Sequence, residues 1–119
     1  MKKIAIPILV LLLILTSCAK EEVDEKLGYN MLLMGHSYFK PYANRIGELA
    51  IDAGLINHNQ TYVFSSGVSG FPIGLWNDTS AKNQRIKETL DAGNVDVFGM
   101  AADSRGLNES FEGTRNWIA

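Results

Sequence analysis

The chain has 119 residues, of which 46% are apolar and 20% are charged, and its formal net charge is −2. This length suits one small domain with a thin core. A slightly acidic chain lacks the basic surface that nucleic acids or anionic lipid headgroups require, so neither is expected as a partner through charge. The single cysteine excludes an intrachain disulfide.

The start of the chain has the pattern of an export signal. Two lysines precede an apolar run at residues 4–15, which is shorter than the roughly 20 residues of a transmembrane helix. The tetrapeptide Leu-Thr-Ser-Cys that ends at Cys18 resembles the bacterial lipoprotein lipobox. That resemblance implies a signal peptide over residues 1–17, diacylation of Cys18 and anchoring of the exported protein to membrane in the cell envelope. Ala19 follows instead of aspartate, and by the same resemblance this favours the outer membrane in a Gram-negative organism.

Two plainer interpretations of this segment remain open, namely a signal peptide with an incidental cysteine and an uncleaved anchor. Residues 18–27 are mostly charged, which predicts a flexible tether. The folded domain is then expected over residues 28–119. Loss of the signal would remove two lysines and leave the mature chain more acidic.

The first half of this domain reads as strand, helix and strand. A continuously apolar run at residues 30–34 predicts a strand that is covered on both faces. Ser37 is placed to cap the next helix, and Gly54 to end it. The apolar face of that helix is expected to consist of Tyr42, Ile46, Leu49, Ala50 and Ala53. Residues 61–64 predict the second strand.

A glycine-rich loop at residues 65–70 follows, and residues 71–77 are expected to be irregular because Pro72 and Gly74 break regular structure. A second helix should begin after a cap at Asp78, Thr79 or Ser80 and run to about residue 92, with Lys82 on its exposed face. Residues 95–100 predict the third strand. A long polar loop at residues 101–113 then leads to a helix at residues 112–119, with Trp117 and Ile118 on its apolar side.

This alternation of strands and helices predicts an α/β fold with a doubly wound parallel sheet. Three strands are few for such a fold, and the last helix breaks off as its pattern becomes apolar. We therefore expect these residues to form the N-terminal part of a larger domain. In parallel sheets, ligands bind at the carboxyl ends of the strands. Ser37 and the loop that ends at Gly70 are both expected there.

The block Gly35-His36-Ser37 after one strand, and the block Ser66-Gly-Val-Ser-Gly70 after the next, resemble the SGNH (GDSL-like) hydrolases. The resemblance implies a flavodoxin-like three-layer fold, incomplete here at the C-terminus, and a serine esterase without cofactor. By this resemblance Ser37 matches the nucleophile that forms an acyl-enzyme, and Gly70 matches an oxyanion-hole glycine. The Ser37 backbone N–H would be a second donor to the oxyanion.

The chain also departs from the family pattern. His36 stands in place of the usual aspartate, and Ala101 stands where the oxyanion-hole asparagine is expected. Asp103 and Asn108 follow but do not match that motif. No Asp-x-x-His block is present, although a serine needs a base within hydrogen-bond reach to become an effective nucleophile. Turnover therefore requires the full-length chain to supply that block.

Two functions follow from these observations. The first is a lipid-anchored serine ester hydrolase of the cell envelope that removes acetyl or short acyl groups from a small ester or a carbohydrate ester. The alternative is a non-catalytic envelope lipoprotein that keeps an SGNH-like fold for binding or structure. Ser37 could also be a plain helix cap, and Phe71 and Trp76 could line a pocket or the core. A metal site is not indicated, because no pair among the two histidines and the acidic residues has metal-ligand spacing. A phosphate-binding P-loop is not indicated either, because the glycine-rich loop lacks the lysine and the spacing of that motif.

Overall fold

The computed structural model describes residues 26–102 and 107–119, and the side chains of residues 107–110 are outside that description. Cys18, the predicted signal peptide and most of the predicted tether lie outside the described residues. The backbone N–H of Gly28 donates to the carbonyl of Ile56 (2.7 Å), and the N–H of Ile56 donates to the carbonyl of Lys26 (3.0 Å). Ordered backbone pairing therefore extends to Lys26, within the segment that was expected to be a tether.

Within the described ranges, three parallel strands form one open sheet in the order β2-β1-β3. The strands are β1 (Asn30–His36), β2 (Asn59–Ser65) and β3 (Val97–Met100). The helices are α1 (Lys40–Asp52), α2 (Pro72–Trp76), α3 (Ala81–Asp91) and α4 (Leu107–Ile118), with a 3₁₀ turn at Gly67–Gly70. The predicted α/β class with a parallel sheet is confirmed.

The main core lies between one face of the sheet and helices α2, α3 and α4. Alternate side chains of a strand point to the same face, so two residues of β1 and one of β2 meet three helical side chains there. Burial of each contributes about 1.5–3 kcal/mol. The members of this core are Leu32, Met34, Val63, Leu75, Ile86 and Trp117.

Helix α1 covers the opposite face of the sheet with small residues. Ala43 and Ala50 are its buried side chains, and a Cβ atom at Gly47 would stand 2.6 Å from Oε1 of Gln60 on β2. The prediction of an apolar helix face was therefore right only for Ala50. The other four predicted members are exposed, namely Tyr42, Ile46, Leu49 and Ala53.

Three further predictions about helices were wrong, in whole or in part. Residues 72–76 form helix α2 instead of an irregular segment, because Pro72 occupies the first helical position, where its missing N–H has no cost. The polar segment after β3 is shorter than expected, since α4 begins at Leu107. Trp117 is buried and its Nε1 donates to the carbonyl of Pro72 (2.8 Å), whereas Ile118 is exposed.

The start of α3 and the ends of α1 and α3 follow the expected chemistry. Ser80 caps α3, and its hydroxyl accepts the backbone N–H of Lys82 (3.3 Å). Gly54 and Gly93 follow α1 and α3 in the left-handed region, both at φ +71°, where a glycine pays no steric penalty.

The start of the sheet is held by a reciprocal pair. The N–H of Asn30 donates to the Asp96 carboxylate (2.8 Å), and the N–H of Asp96 donates to the Asn30 carbonyl (2.9 Å). Because β1 lies between β2 and β3, the winding of the chain reverses at β1. The crevice beside its carboxyl end is the place where open α/β sheets bind ligands.

Candidate active site

Ser37 lies immediately beyond the carboxyl end of the central strand. Strand β1 ends at His36, and residues 37–39 form a turn closed by a hydrogen bond from the Phe39 N–H to the His36 carbonyl (3.0 Å). The Ser37 side chain is exposed. The structure thus places the predicted nucleophile at the predicted edge of the sheet, where solvent can reach it.

The expectation that Ser37 caps the next helix was wrong. The residue that precedes α1 is Phe39, and no side chain caps that helix. Ser37 is the first residue of the turn at residues 37–39, and α1 starts directly after this turn at Lys40. Its hydroxyl forms no hydrogen bond within the part of the chain that the structure describes.

Gly70 packs against the end of β1. A Cβ atom at residue 70 would stand 2.4 Å from the Cα of His36 and 2.7 Å from the carbonyl oxygen of Gly35. Any side chain there would push the 3₁₀ turn away from the strand, so this close approach needs glycine. The two segments that carry the family resemblance are brought into contact, while the oxyanion role of Gly70 stays a prediction.

His36 is half-buried and its ring is fixed by its neighbours. Nδ1 accepts the backbone N–H of Tyr38 (3.2 Å), so neutral His36 carries its proton on Nε2. The ring stands edge-on to Phe71 at 5.1 Å and to Tyr38 at 5.9 Å between centroids. The lone pair of Nδ1 is occupied by the hydrogen bond from Tyr38, so this nitrogen does not serve as a base for Ser37.

The other side of the crevice is apolar. Ala101 follows β3, is buried, and donates its N–H to the Met34 carbonyl (3.1 Å). A Cβ atom at Gly35 would stand 2.8 Å from the Ala101 Cβ. A methyl group therefore occupies the position at which the resemblance would place an asparagine donor. Asp103 and the side chain of Asn108 lie outside the part of the chain that the structure describes.

Sequence reasoning missed a lysine at this edge. Lys82 was expected on an exposed helix face, but it is half-buried and its Nζ donates to Oγ of Ser65 (3.0 Å). Ser65 ends β2 and pairs in register with His36. The signal was present, since a crossover from β2 to β3 starts at the carboxyl edge and puts the first turn of the next helix near it.

Asp78 lies before the first turn of α3. Its Oδ1 accepts the N–H of Ser80 (2.6 Å). Hydrogen bonds from the Ser80 side chain and backbone, together with the positive charge of Lys82, hold the pKa of Asp78 below its ordinary value. This carboxylate is therefore ionised at neutral pH and is engaged by the helix cap.

Phe71 and Trp76, the two aromatic residues considered as pocket lining, lie in different parts of the fold. Phe71 is buried beside His36. Trp76 stands edge-on to Trp117 at 5.0 Å, with Lys87 Nζ 4.6 Å from its ring centroid, so Trp76 belongs to the core.

An open cleft of about 450 Å³ lies between α1 and β2. It is lined by Asn44, Gly47, Glu48, Ile51, His58, Gln60 and Tyr62.

None of the residues that line this cleft belongs to the Gly35–Ser37 block or to the Ser66–Gly70 block. His58 was expected to be solvated but is half-buried in this cleft. Its Nδ1 accepts the Tyr29 N–H (3.2 Å), and its buried Nε2 has no partner within the described residues.

No three acidic, histidine or cysteine side chains are grouped to hold a metal ion in the described ranges. None of the helices described is long and apolar enough to cross a bilayer.

Comparisons with models of protein families, with curated proteins and with solved structures found no match to this chain.

Proposed function

We propose that the protein is a lipid-anchored serine ester hydrolase of the SGNH type. The observation that carries the proposal is the contact between Gly70 and the backbone of His36, directly before the exposed Ser37. It joins the Gly35–Ser37 block and the Ser66–Gly70 block, which are far apart along the chain, at one crevice of a parallel sheet. The order β2-β1-β3 is compatible with the flavodoxin-like arrangement of that family.

In the proposed reaction, Ser37 Oγ attacks the ester carbonyl carbon and its proton passes to a base. The carbon–oxygen bond of the ester then breaks, the alcohol leaves with a proton, and the acyl group remains on Ser37. Water hydrolyses the acyl-enzyme to release the carboxylic acid and restore the serine. Backbone N–H groups of Ser37 and Gly70 would hold the negative charge of each tetrahedral intermediate, and each such donor lowers the barrier by about 3–4 kcal/mol.

The base is the condition on which this proposal depends. Family members take it from an Asp-x-x-His block, which these 119 residues do not contain. His36 does not substitute for it, because its Nδ1 binds the Tyr38 N–H. The proposal therefore concerns the full-length gene product and requires a histidine from such a block within hydrogen-bond reach of Ser37.

The place of action is proposed from the start of the sequence. Acyl chains on Cys18 would hold the domain at the surface of the membrane, in the outer membrane if the organism is Gram-negative. The substrate is then an acetyl or short-acyl ester of the envelope, such as a carbohydrate ester. Radiolabelled palmitate should enter the wild-type protein in cells and should not enter a Cys18→Ala variant.

Activity-based labelling tests the nucleophile. A fluorophosphonate probe should modify the full-length protein at Ser37, as located by mass spectrometry, and Ser37→Ala should abolish labelling. Ser69→Ala is the matched control, because Ser69 is an exposed serine of the adjacent 3₁₀ turn. Absence of labelling at Ser37 in folded protein would contradict the proposal.

A second candidate function is supported by Ala101. Its buried methyl group stands in place of the asparagine donor, which favours a non-catalytic envelope lipoprotein that uses the same fold for binding or structure. Hydrolysis of p-nitrophenyl acetate by the full-length protein, abolished by Ser37→Ala, would exclude this alternative.

A further inference from the structure

Lys82 brings a positive charge to the carboxyl edge of the sheet. Its Nζ donates to Oγ of Ser65 at 3.0 Å, and Ser65 pairs with His36 in the ladder between β2 and β1. Neighbouring strands are about 4.8 Å apart. The ammonium group therefore contacts the strand that neighbours the backbone directly before Ser37.

This charge is not balanced by an ion pair. The salt bridge found within the described ranges joins Arg45 to Glu48 on α1, and it leaves both Lys82 and Arg85 without a carboxylate within 4 Å among the described residues. Asp78 is close enough for Lys82 to lower its pKa, but its Oδ1 is bound by the N–H of Ser80. Two cations of α3 thus remain available to an outside anion.

Both cations line one cleft of about 270 Å³ between α3 and the outer edge of β2. Its lining is Tyr62, Val63, Phe64, Ala81, Lys82 and Arg85. The walls are otherwise mostly apolar, and the charged groups in the cleft are the half-buried Lys82 and the exposed Arg85. The volume lies below the usual range for sites that enclose a whole drug-sized ligand, and suits one charged substituent.

We propose that Lys82 and Arg85 form an anion-binding subsite, separate from the oxyanion hole, that binds a carboxylate or a phosphate group on the substrate. The role in substrate selection depends on the proposed hydrolase, whereas anion binding itself does not. Arg85 supplies a planar fork of donors, and Lys82 a point charge oriented by Ser65. The substrate class is thereby narrowed to esters that carry a negative charge near the acyl group.

The binding test uses inorganic phosphate and acetate as separate probes. Each is titrated into full-length protein, and the amide NMR signals of Ser65 and Lys82 are followed at constant ionic strength. We expect saturable shifts with at least one probe, and the tighter of the two identifies the group. Lys82→Gln should weaken binding by roughly 10-fold or more, since charge-assisted hydrogen bonds are the strong ones.

Lys87→Gln is the matched control, because Lys87 lies on the same helix but stacks over Trp76. It should leave anion binding unchanged. Lys82→Arg should retain binding, and Arg85→Gln provides a second loss of charge if Lys82→Gln fails to fold. Equal weakening by Lys87→Gln, or shifts that grow linearly with probe concentration without saturating, would overturn the proposal by revealing non-specific binding.

The catalytic test compares p-nitrophenyl acetate with mono-p-nitrophenyl succinate, which adds a carboxylate. The ratio of kcat/KM for the charged ester to that for the neutral ester should fall about 10-fold in Lys82→Gln. Turnover of the neutral ester without anion binding would overturn the subsite and leave the hydrolase standing. Saturable anion binding without any turnover or fluorophosphonate labelling would support the subsite and contradict the hydrolase.

Discussion

Gly70 touches the backbone of His36 so closely that a single methyl group on residue 70 would overlap the strand. Main-chain atoms on both sides of this contact leave no flexible side chain that could move away. The 3₁₀ turn and the end of β1 therefore fit together only with glycine at this position, whether or not Gly70 has a catalytic role.

Gly70→Ala should destabilise the fold by about 1–3 kcal/mol, the usual cost of overpacking. Gly67→Ala is the control: its φ of +50° disfavours alanine, but a Cβ atom there would meet nothing within 4 Å, so about 1 kcal/mol is expected. Urea unfolding followed by circular dichroism measures both. A smaller loss for Gly70→Ala than for Gly67→Ala would contradict the packing described.

Asp78 predicts a pH effect on stability. Its pKa is lowered in the folded state, first by the Ser80 side chain and then by the Ser80 N–H. Its ionised form thus stabilises the fold above the ordinary pKa of 3.8, and this stabilisation is lost as pH falls through the lower folded value. Asp78→Asn should therefore show a shallower loss of unfolding free energy below about pH 4. Parallel curves of unfolding free energy against pH for the two proteins would refute this.

Trp117 fixes α4 against α2 through its bond to the Pro72 carbonyl and its edge-on contact with Trp76. Trp117→Phe would leave that buried carbonyl without its partner and remove part of the ring, so a loss of about 2–4 kcal/mol is expected. Ile118→Ala, at an exposed neighbour, should change stability by less than about 0.5 kcal/mol. Similar losses in thermal or urea unfolding would show that α4 does not dock by this face.

Two isoleucines test which helix faces are buried. Ile86 on α3 is fully buried, whereas Ile51 on α1 is 75% exposed. Ile86→Ala should cost about 2–5 kcal/mol through lost burial and the cavity that it leaves. Ile51→Ala should be close to neutral. The comparison in urea would disagree with the structure if the two losses were equal.

The strands could be predicted because they depend on local patterns, and apolar runs mark β1 and β3. The cap of α3 was narrowed to Asp78, Thr79 or Ser80, of which Ser80 is the one used, whereas the same kind of pattern wrongly marked Ser37 as a cap. Helix α1 shows the limit of this reasoning: periodicity gives weight to large apolar residues, but Ala43, Gly47 and Ala50 face the sheet because small side chains allow close approach. Nothing in Tyr42 or Leu49 alone reveals that preference.

Helix α2 was missed for a related reason. Pro72 and Gly74 are helix breakers in isolation, but proline is favourable in the first turn, and a Cβ atom at Gly74 would stand 2.5 Å from the Val68 carbonyl oxygen. Tertiary packing thus selects a residue that local propensity disfavours. At the candidate site, the Gly35–Ser37 and Gly70 blocks were visible in the sequence. The crossover from β2 to β3 implied that the first turn of α3 lies near this edge. The contact of Lys82 with Ser65 was not visible, because it depends on where α3 starts relative to β2, which local patterns do not determine.

The reciprocal hydrogen bonds between Asn30 and Asp96 fix the register of β3 against β1. Side chains alternate along a strand, so sliding β3 by one residue against β1 would exchange its two faces. Phe98 and Met100 would turn away from Trp117, and a residue other than Ala101 would stand beside Gly35. Two polar residues at the entrance of the sheet thereby decide which side chain borders the crevice at its far end, about five residues away.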